Sequence, residues 1–239
     1  MSNIAIDGQL NAAERSLLAA PLLAAPERDL HVLEVGTWLG GGSTLTFLQA
    51  LQRNGRGQLW GIEADRSIYD RMLANLRAAV PEAVHRFTPL FGFSQKVIPS
   101  WLAEQPAEFM VDVVFLDGGN NPREQITEFS LLAPRVPVGG HVFSHDAKLR
   151  KGKWLVPYLR LLDNWECELH DVSEEGLFQA RKLSPNPSHA SLRAARRRLI
   201  RLQLEPKEIA ATVVPRRACA LIFNLLPKRL VRRIADGRK

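Results

Sequence analysis

Short apolar runs alternate with helical patterns along most of this chain. Five runs predict β-strands, namely Leu30–Val35, Gln58–Glu63, Val84–Leu90, Val111–Leu116 and His141–Ser144. The helical patterns cover residues 43–52, 67–80, 94–104, 122–133 and 153–164. The fourth run is apolar at almost every position, which is typical of a strand buried on both faces. Because parallel strands need crossover helices, these repeats predict a doubly wound, Rossmann-like α/β sheet.

The ends of the chain predict two additions to this sheet. Glu166–Val172 and Gly176–Lys182 flank a short polar turn, a pattern that predicts a terminal antiparallel hairpin. A helix near Asn11–Leu23 is expected to cover part of the functional site of this domain. The predicted organisation is therefore a helical cap over residues 1–29, one α/β domain over 30–183 and a helical tail over 184–239.

The tail differs from the rest of the chain in charge. Residues 186–239 hold 14 of the 32 basic residues but only 3 of the 25 acidic ones, so the preceding part is net negative. Two apolar stripes, at residues 192, 195, 199 and 202 and at 226, 230 and 234, are flanked by arginines and lysines. These patterns predict basic amphipathic helices.

The tail is open to several interpretations. Residues 190–239 suit an anionic membrane surface, nucleic acid phosphates or an acidic partner, and a helical extension that packs on the domain or forms a homo-oligomer is an equal alternative. The Leu- and Ile-rich stripes favour the membrane among these ligands. Nucleic acid is disfavoured, because Phe223 is the only aromatic residue of the tail.

A glycine-rich turn follows the first predicted strand, in the segment Glu34-Val35-Gly36-Thr37-Trp38-Leu39-Gly40-Gly41-Gly42-Ser43. Glycines let a backbone approach a ligand closely, and Ser43 is predicted to cap a helix whose positive end attracts a carboxylate. The segment matches neither the dinucleotide-binding pattern nor a P-loop. A plain strand–helix turn without a ligand is the alternative.

The second predicted strand ends in an acidic residue, Glu63. A carboxylate at this point is suited to accept hydrogen bonds from both hydroxyls of a ribose. An exposed loop glutamate is the alternative, and Asp65 is the nearest competitor for the role. The glycine turn and Glu63 together indicate an adenosyl cofactor.

Four segments carry a family resemblance: Leu33–Ser43, Gly61–Glu63, Phe115–Gly118 and Val138–Asp146. Over residues 30–183 the chain resembles class I S-adenosylmethionine-dependent methyltransferases, and more narrowly the small-molecule O-methyltransferases related to macrocin O-methyltransferase and the cephalosporin-hydroxylase-like proteins. The resemblance implies S-adenosylmethionine as cofactor, with its methionine end at Glu34 and Gly36. Its implied cofactor site comprises Glu34, Gly36, Gly40, Ser43, Glu63, Phe93, Ser94 and Asp117. Phe93 stands where the family often has an acidic residue beside the adenine.

The resemblance also implies a catalytic end. Relatives of catechol O-methyltransferase hold a divalent ion between an Asp after the fourth strand and an Asp-Asn pair after the fifth. Asp117 and Asp146 match two of these positions, whereas Ala147 replaces the Asn and Asn120 replaces a catalytic Lys. Asp117 and Asp146 are therefore candidate ligands for Mg²⁺, which could activate a substrate hydroxyl. His145 is a candidate general base, with a structural histidine as the equal alternative.

The expected activity is transfer of a methyl group to a hydroxyl of a small-molecule or sugar-like acceptor, activated by Asp117, Asp146 and His145. One alternative is a cofactor-binding module without transfer activity. Another is a nucleic-acid methyltransferase recruited by the tail, which is disfavoured because Asp117–Asn120 does not match the motif of amino-methylating enzymes.

Three features predict a cytoplasmic protein. The apolar run Leu17–Ala25 lacks the basic segment that precedes a signal-peptide core. No apolar run approaches the roughly 20 residues that span a bilayer. Cys167 and Cys219 lie far apart and match no metal or redox spacing, which indicates a reducing compartment. The tail extends this prediction to peripheral attachment at the inner membrane surface.

Overall fold

The computed structural model describes residues 6–206 and 208. The described residues up to Ala195 belong to one compact unit, and Arg196 begins a second. Within this described part of the chain, no helix has both the length and the apolar character needed to cross a bilayer. The second basic stripe of the tail, at residues 226, 230 and 234, lies outside the described residues, and the predicted boundaries at residues 29 and 183 stay predictions.

Seven strands form one sheet in the described chain. They are β1 His31–Val35, β2 Gln58–Glu63, β3 Phe87–Phe91, β4 Val113–Leu116, β5 His141–Ser144, β6 Trp165–His170 and β7 Leu177–Lys182. Their order is β3-β2-β1-β4-β5-β7-β6. Strands β1 to β5 are parallel, whereas β7 pairs antiparallel with both β5 and β6. The predicted doubly wound sheet with a terminal hairpin is confirmed.

Seven α-helices accompany the sheet in the described residues. They are α1 Ala12–Leu23, α2 Ser43–Asn54, α3 Arg66–Ala79, α4 Ser94–Glu104, α5 Pro122–Leu132, α6 Leu155–Leu159 and α7 His189–Gln203. Three short 3₁₀ turns lie at Val84–Arg86, Ala133–Arg135 and Lys151–Lys153. The chain order of strands and helices follows the predicted βα repeats.

Two predicted elements differ from the structure by three residues or more. The third strand begins at Phe87, because the chain before it closes a 3₁₀ turn. Helix α6 has five residues, far fewer than the predicted span of 153–164. Beyond Leu159 the backbone forms tighter turns, in which the N–H of Leu162 donates to the carbonyl of Leu159. This three-residue spacing keeps both buried leucines on one side of the chain.

Side-chain caps fix the starts of three helices. Asn11 accepts from the backbone N–H of Glu14 and forms a capping box at α1. Asp65 caps α3, and Asn121 caps α5 with Pro122 in the first turn. Ser43 is not a cap, because Gly42 occupies that position and Ser43 is the first helical residue.

The core lies on both faces of the central strands β1 and β4. Leu33 and Phe115 are fully buried there. Helix α1 packs against α2 and contributes Leu18 and Leu22 to the hydrophobic cluster that contains Phe115. Helix α1 is therefore part of the domain core in addition to any role near the acceptor.

We expect Leu18→Ala to lower the free energy of unfolding by about 2–5 kcal/mol, because Leu18 is fully buried and its truncation leaves a cavity. Leu23→Ala on the same helix is the control, since Leu23 is 39% exposed and its truncation should change stability by less than about 0.5 kcal/mol. Urea unfolding of both variants measures the difference. Equal stability of the two variants would contradict the packing of α1 into the core.

Candidate active site

The turn after β1 brings the ends of β1 and β4 together. Gly36 has a φ of +89°, a conformation that L side chains rarely adopt. A Cβ at Gly36 would lie 2.5 Å from the carbonyl oxygen of Asp117, so any larger residue would push the two loops apart. Trp38, two residues further on, also has a positive φ of +47°, and its side chain is partly exposed beside the same turn.

Three residues that the sequence assigned to the cofactor lie behind this turn. Glu34 is fully buried and accepts hydrogen bonds from the hydroxyls of Ser43 and Thr44. Gly40 faces α3, where a Cβ would lie 3.2 Å from the Leu76 side chain. Since Glu34, Gly40 and Ser43 do not line the adjacent cavity, their contacts shape the turn from inside the protein.

A cavity of about 510 Å³ opens at the carboxyl ends of the parallel strands. Its wall includes five of the predicted cofactor residues: Gly36, Glu63, Phe93, Ser94 and Asp117. Residues from three strand ends and from the start of α4 therefore meet in one space. This is the position where open α/β sheets bind ligands.

The Glu63 carboxylate is held in place by the backbone. Its Oε2 accepts from the N–H of Trp38 at 3.0 Å, and its Oε1 accepts from the N–H groups of Ala64 and Asp65 at 2.8 and 3.0 Å. Carboxylate oxygens have further lone pairs, so these bonds leave acceptor capacity toward the cavity. Asp65 instead uses its side chain to cap α3, which distinguishes it from Glu63.

A buried glutamate that sequence reasoning missed lies at the α4 end of the cavity. Glu128 on α5 is 1% exposed and lines the cavity. Its Oε1 accepts from Ser94 Oγ at 2.5 Å and from Gln95 Nε2 at 3.2 Å, whereas Oε2 has no partner among the described residues. Burial raises the pKa of Glu128 to about 7. A buried polar atom without a partner at a cavity wall is typical of a group that pairs with a ligand.

A second set of charged residues follows β4 and β5. His145 is buried, and its Nδ1 lies 3.2 Å from Asp146 Oδ1 and 3.5 Å from Asp117 Oδ1. On the other side of the ring, Nε2 lies 3.3 Å from Oε1 of Glu14, a buried residue of α1. Asp146 has a φ of +56°, which marks backbone strain at this loop. The three residues that the sequence proposed as catalytic are therefore brought together.

The carboxylates around His145 set its charge. Burial alone would lower the pKa of His145, but hydrogen bonds and charges from Asp117 and Asp146 raise it to about 10. The hydrogen bond from His145 in turn holds the pKa of Asp146 well below its usual range, against the effect of burial. A protonated imidazole has no lone pair for a proton, so this arrangement favours a structural His145 over the general base expected from the sequence.

Lys151 completes the cluster, and sequence reasoning missed it. Its side chain is 3% exposed, and its Nζ donates to Asp117 Oδ1 at 2.7 Å and to Asp146 Oδ2 at 2.8 Å. Burial would lower the pKa of Lys151, but the charges and hydrogen bonds of the two aspartates raise it. The ammonium group lies where the sequence predicted Mg²⁺, and the magnesium prediction is not confirmed.

The composition of the sequence around Lys151 does not indicate a buried side chain. The segment Leu149–Trp154 has the composition of an exposed basic loop, but it contains Gly152. A Cβ at Gly152 would overlap the backbone of Ala147, so this glycine lets the Lys151–Lys153 turn pack directly on the loop after β5.

Glu34 predicts a pH dependence of stability. Burial raises the pKa of Glu34 from 4.5 to about 8, so the folded state keeps a proton that the unfolded chain has already released. The free energy of unfolding should therefore fall, relative to Glu34→Gln, by about 1.4 kcal/mol per pH unit between these two pKa values. Urea unfolding of both proteins from pH 5.5 to 8 measures this slope.

The exposed Glu82 provides the control for this measurement. Wild type and Glu82→Gln should show parallel stability curves over the same pH range. Parallel curves for wild type and Glu34→Gln would instead mean that Glu34 is ionised in the folded protein.

Comparison with known proteins agrees with this geometry. A family model described as a methyltransferase domain matches residues 33–147. No curated protein matches the chain by sequence. The O-methyltransferase TomG from Streptomyces achromogenes, solved with SAM, shares 20% identity and a TM-score of 0.58, over 74% of this chain and 82% of that one.

Two further solved structures share the fold. An O-methyltransferase from Bacillus cereus in complex with SAH is 15% identical, with a TM-score of 0.57 over 73% of this chain and 82% of that one. An rRNA methylase from Streptococcus thermophilus is 12% identical, with a TM-score of 0.54 over 72% of this chain and 95% of that one. Residues 33–147 therefore match a methyltransferase domain, and the described chain has the fold of these solved methyltransferases.

Proposed function

We propose that this chain transfers the methyl group of S-adenosylmethionine to a hydroxyl oxygen of a small-molecule acceptor. The observation that carries the proposal is the single cavity in which the glycine turn, Glu63 and Asp117 meet. O-methyltransferases of the same fold, including one solved with SAM and one with SAH, support both the cofactor and the acceptor class.

Three features of the cavity fit this cofactor. Gly36 leaves room for a ligand to approach the backbone beside the Asp117 loop. Glu63, fixed by three N–H groups, would accept hydrogen bonds from the ribose hydroxyls. At the other end, Phe93 presents an exposed apolar ring and Glu128 an unpaired carboxyl oxygen, which together suit an adenine with its polar edge.

When bound, S-adenosylmethionine supplies an electrophilic methyl carbon on a sulfonium centre. The residues of the chain have to align the acceptor oxygen with that carbon and exclude water from the two groups. Asp117 lines the cavity, where its carboxylate would accept the hydrogen bond of the acceptor hydroxyl and take up its proton. His145 and Asp146 hold this loop and lie outside the cavity wall.

The segment before α1 contributes to the same cavity. Gln9 lines it, and Gly8 crosses the glycine turn so closely that a Cβ on Gly8 would lie 2.5 Å from the carbonyl carbon of Gly41. This contact supports the proposal that the N-terminal segment covers the site. A sugar-like acceptor would form hydrogen bonds with polar residues of the cavity wall, including Gln9 and Glu124.

Glu63→Ala should weaken binding of S-adenosylmethionine by about 10- to 100-fold, because hydrogen bonds to a charged group are worth about 1.5–3 kcal/mol. Isothermal titration calorimetry measures the affinity, with Glu82→Ala as a control that changes an exposed glutamate away from the cavity. Absence of binding by the wild-type protein would overturn the proposal.

Activity separates the enzyme from a binding module of the same fold. With a panel of phenolic and sugar hydroxyl acceptors, the wild-type protein should form S-adenosylhomocysteine, whereas a module that only binds the cofactor would not. Transfer to RNA and to none of the small acceptors would favour the nucleic-acid alternative.

Recruitment to an anionic membrane through residues 190–239 stays a prediction, as does a homo-oligomer. In the described part of the tail, Ala195 and Leu202 of the first stripe are buried, and the neighbouring Ile200 is 54% exposed. Exchange of the exposed Arg193, Arg197 and Arg201 for glutamine should reduce pelleting with phosphatidylserine vesicles at low salt. Pelleting that these changes leave unaltered would contradict the membrane prediction.

A further inference from the structure

The cluster of Asp117, His145, Asp146 and Lys151 contains its own cation. We propose that the ammonium group of Lys151 takes the place of the divalent ion implied by the family resemblance, so that this chain holds Asp117 in position without a metal. This inference rests on the proposed function, because it concerns how the acceptor side of the same site is organised.

The distances leave no room for an ion between the two aspartates. The Nζ of Lys151 lies 2.7 Å from Asp117 Oδ1 and 2.8 Å from Asp146 Oδ2. A magnesium ion requires oxygen ligands at about 2.0–2.1 Å in a nearly octahedral arrangement. Such an ion would have to displace the ammonium group, because both atoms need the same oxygens.

The ligand set is also smaller than the one that the resemblance implies. Ala147 follows Asp146 where the resemblance places an Asn, and an alanine side chain offers no ligand atom. The remaining candidate, His145, directs its Nδ1 at the same two carboxylates and therefore competes with a cation for their oxygens. The oxygen atoms near this position belong to the two aspartates and to the carbonyl of Gly118, which lies 3.4 Å from the Nζ of Lys151.

The fold fixes Lys151 where it is. Gly152 lies against the backbone of Ala147 with no space for a Cβ, and the next residues, Trp154 and Leu155, are buried. The lysine side chain is itself 3% exposed. Withdrawal of its ammonium group would therefore require movement of this buried turn, and would leave the two aspartates facing the charge of His145 without that of Lys151.

The position of Lys151 determines what it can do. Unlike a metal ion, an ammonium group has three N–H donors and no open coordination position for an acceptor oxygen. Lys151 does not line the cavity, whereas Asp117 does. Lys151 is therefore a positioning residue that acts through Asp117 Oδ1, and the acceptor hydroxyl would contact Asp117 directly.

Binding of Mn²⁺, measured by electron paramagnetic resonance on the full chain, tests the proposal without an acceptor. The wild-type protein should show no Mn²⁺ binding that depends on Asp117 at millimolar ion concentrations. Lys151→Ala should gain such binding, with an affinity at least about tenfold above the upper limit measured for wild type, because a positive charge near the two carboxylates is removed. The double variant Lys151→Ala/Asp117→Asn should lose it again.

Lys148→Ala is the matched control, since Lys148 pairs with the exposed Asp171 and lies outside the cluster. It should bind no more Mn²⁺ than wild type. Wild-type binding of Mn²⁺ that Asp117→Asn abolishes would overturn the proposal. So would a folded Lys151→Ala that binds no Mn²⁺, because a lysine that only fills space would leave no cation site behind.

Two further measurements complete the test. If circular dichroism shows that Lys151→Ala does not fold, the wild-type titration decides alone, and Asp117-dependent binding overturns the proposal while its absence supports it. Calorimetry with S-adenosylmethionine, with and without EDTA, is run on the same wild-type samples. Failure of cofactor binding would overturn the proposed function, whereas the Mn²⁺ titration would still test the role of Lys151.

Discussion

The site depends on one close approach between two backbones, that of Gly36 after β1 and that of Asp117 after β4. A Cβ on Gly36 would lie 2.5 Å from the Asp117 carbonyl oxygen, so the contact requires glycine. Gln125 on α5 joins the ends of β4 and β5 beside it, because its amide donates to the carbonyls of Leu116 and His145. The close approach of Gly36 and Asp117 brings the ends of β1 and β4 together at the wall of one cavity.

The domain buries ionisable groups at this edge in two different ways. Glu34 and Glu128 have their pKa values raised by burial, to about 8 and about 7, so each can hold a proton where a charge would be costly. The Asp117 cluster instead pairs carboxylates with His145 and Lys151 at short distances. The raised pKa values reduce the negative charge inside the turn and on the α4 side of the cavity, whereas pairing preserves charge where an acceptor hydroxyl would bind.

The fold could be predicted from sequence because its signals are local: apolar runs of strand length, helical spacing and capping residues. Gly36, Glu63 and Asp117 were found for the same reason, since each lies at the end of a predicted strand or directly after it. Lys151 could not be found in this way, because its partner Asp117 lies 34 residues away and a lysine in a basic segment carries no mark of burial. Glu34 was identified as a site residue, but its burial inside the turn was not predicted. The sequence of a strand does not show which of its last side chains face the protein interior.

The central claim is that one cavity receives the cofactor between Glu63 and Asp117. A crystal structure of the protein with S-adenosylhomocysteine tests it most directly. The account predicts ribose hydroxyls within hydrogen-bonding distance of the Glu63 carboxylate, the adenine beside Phe93 and Glu128, and the sulfur on the side of Asp117. A molecule bound elsewhere, or one whose ribose turns away from Glu63, would contradict it.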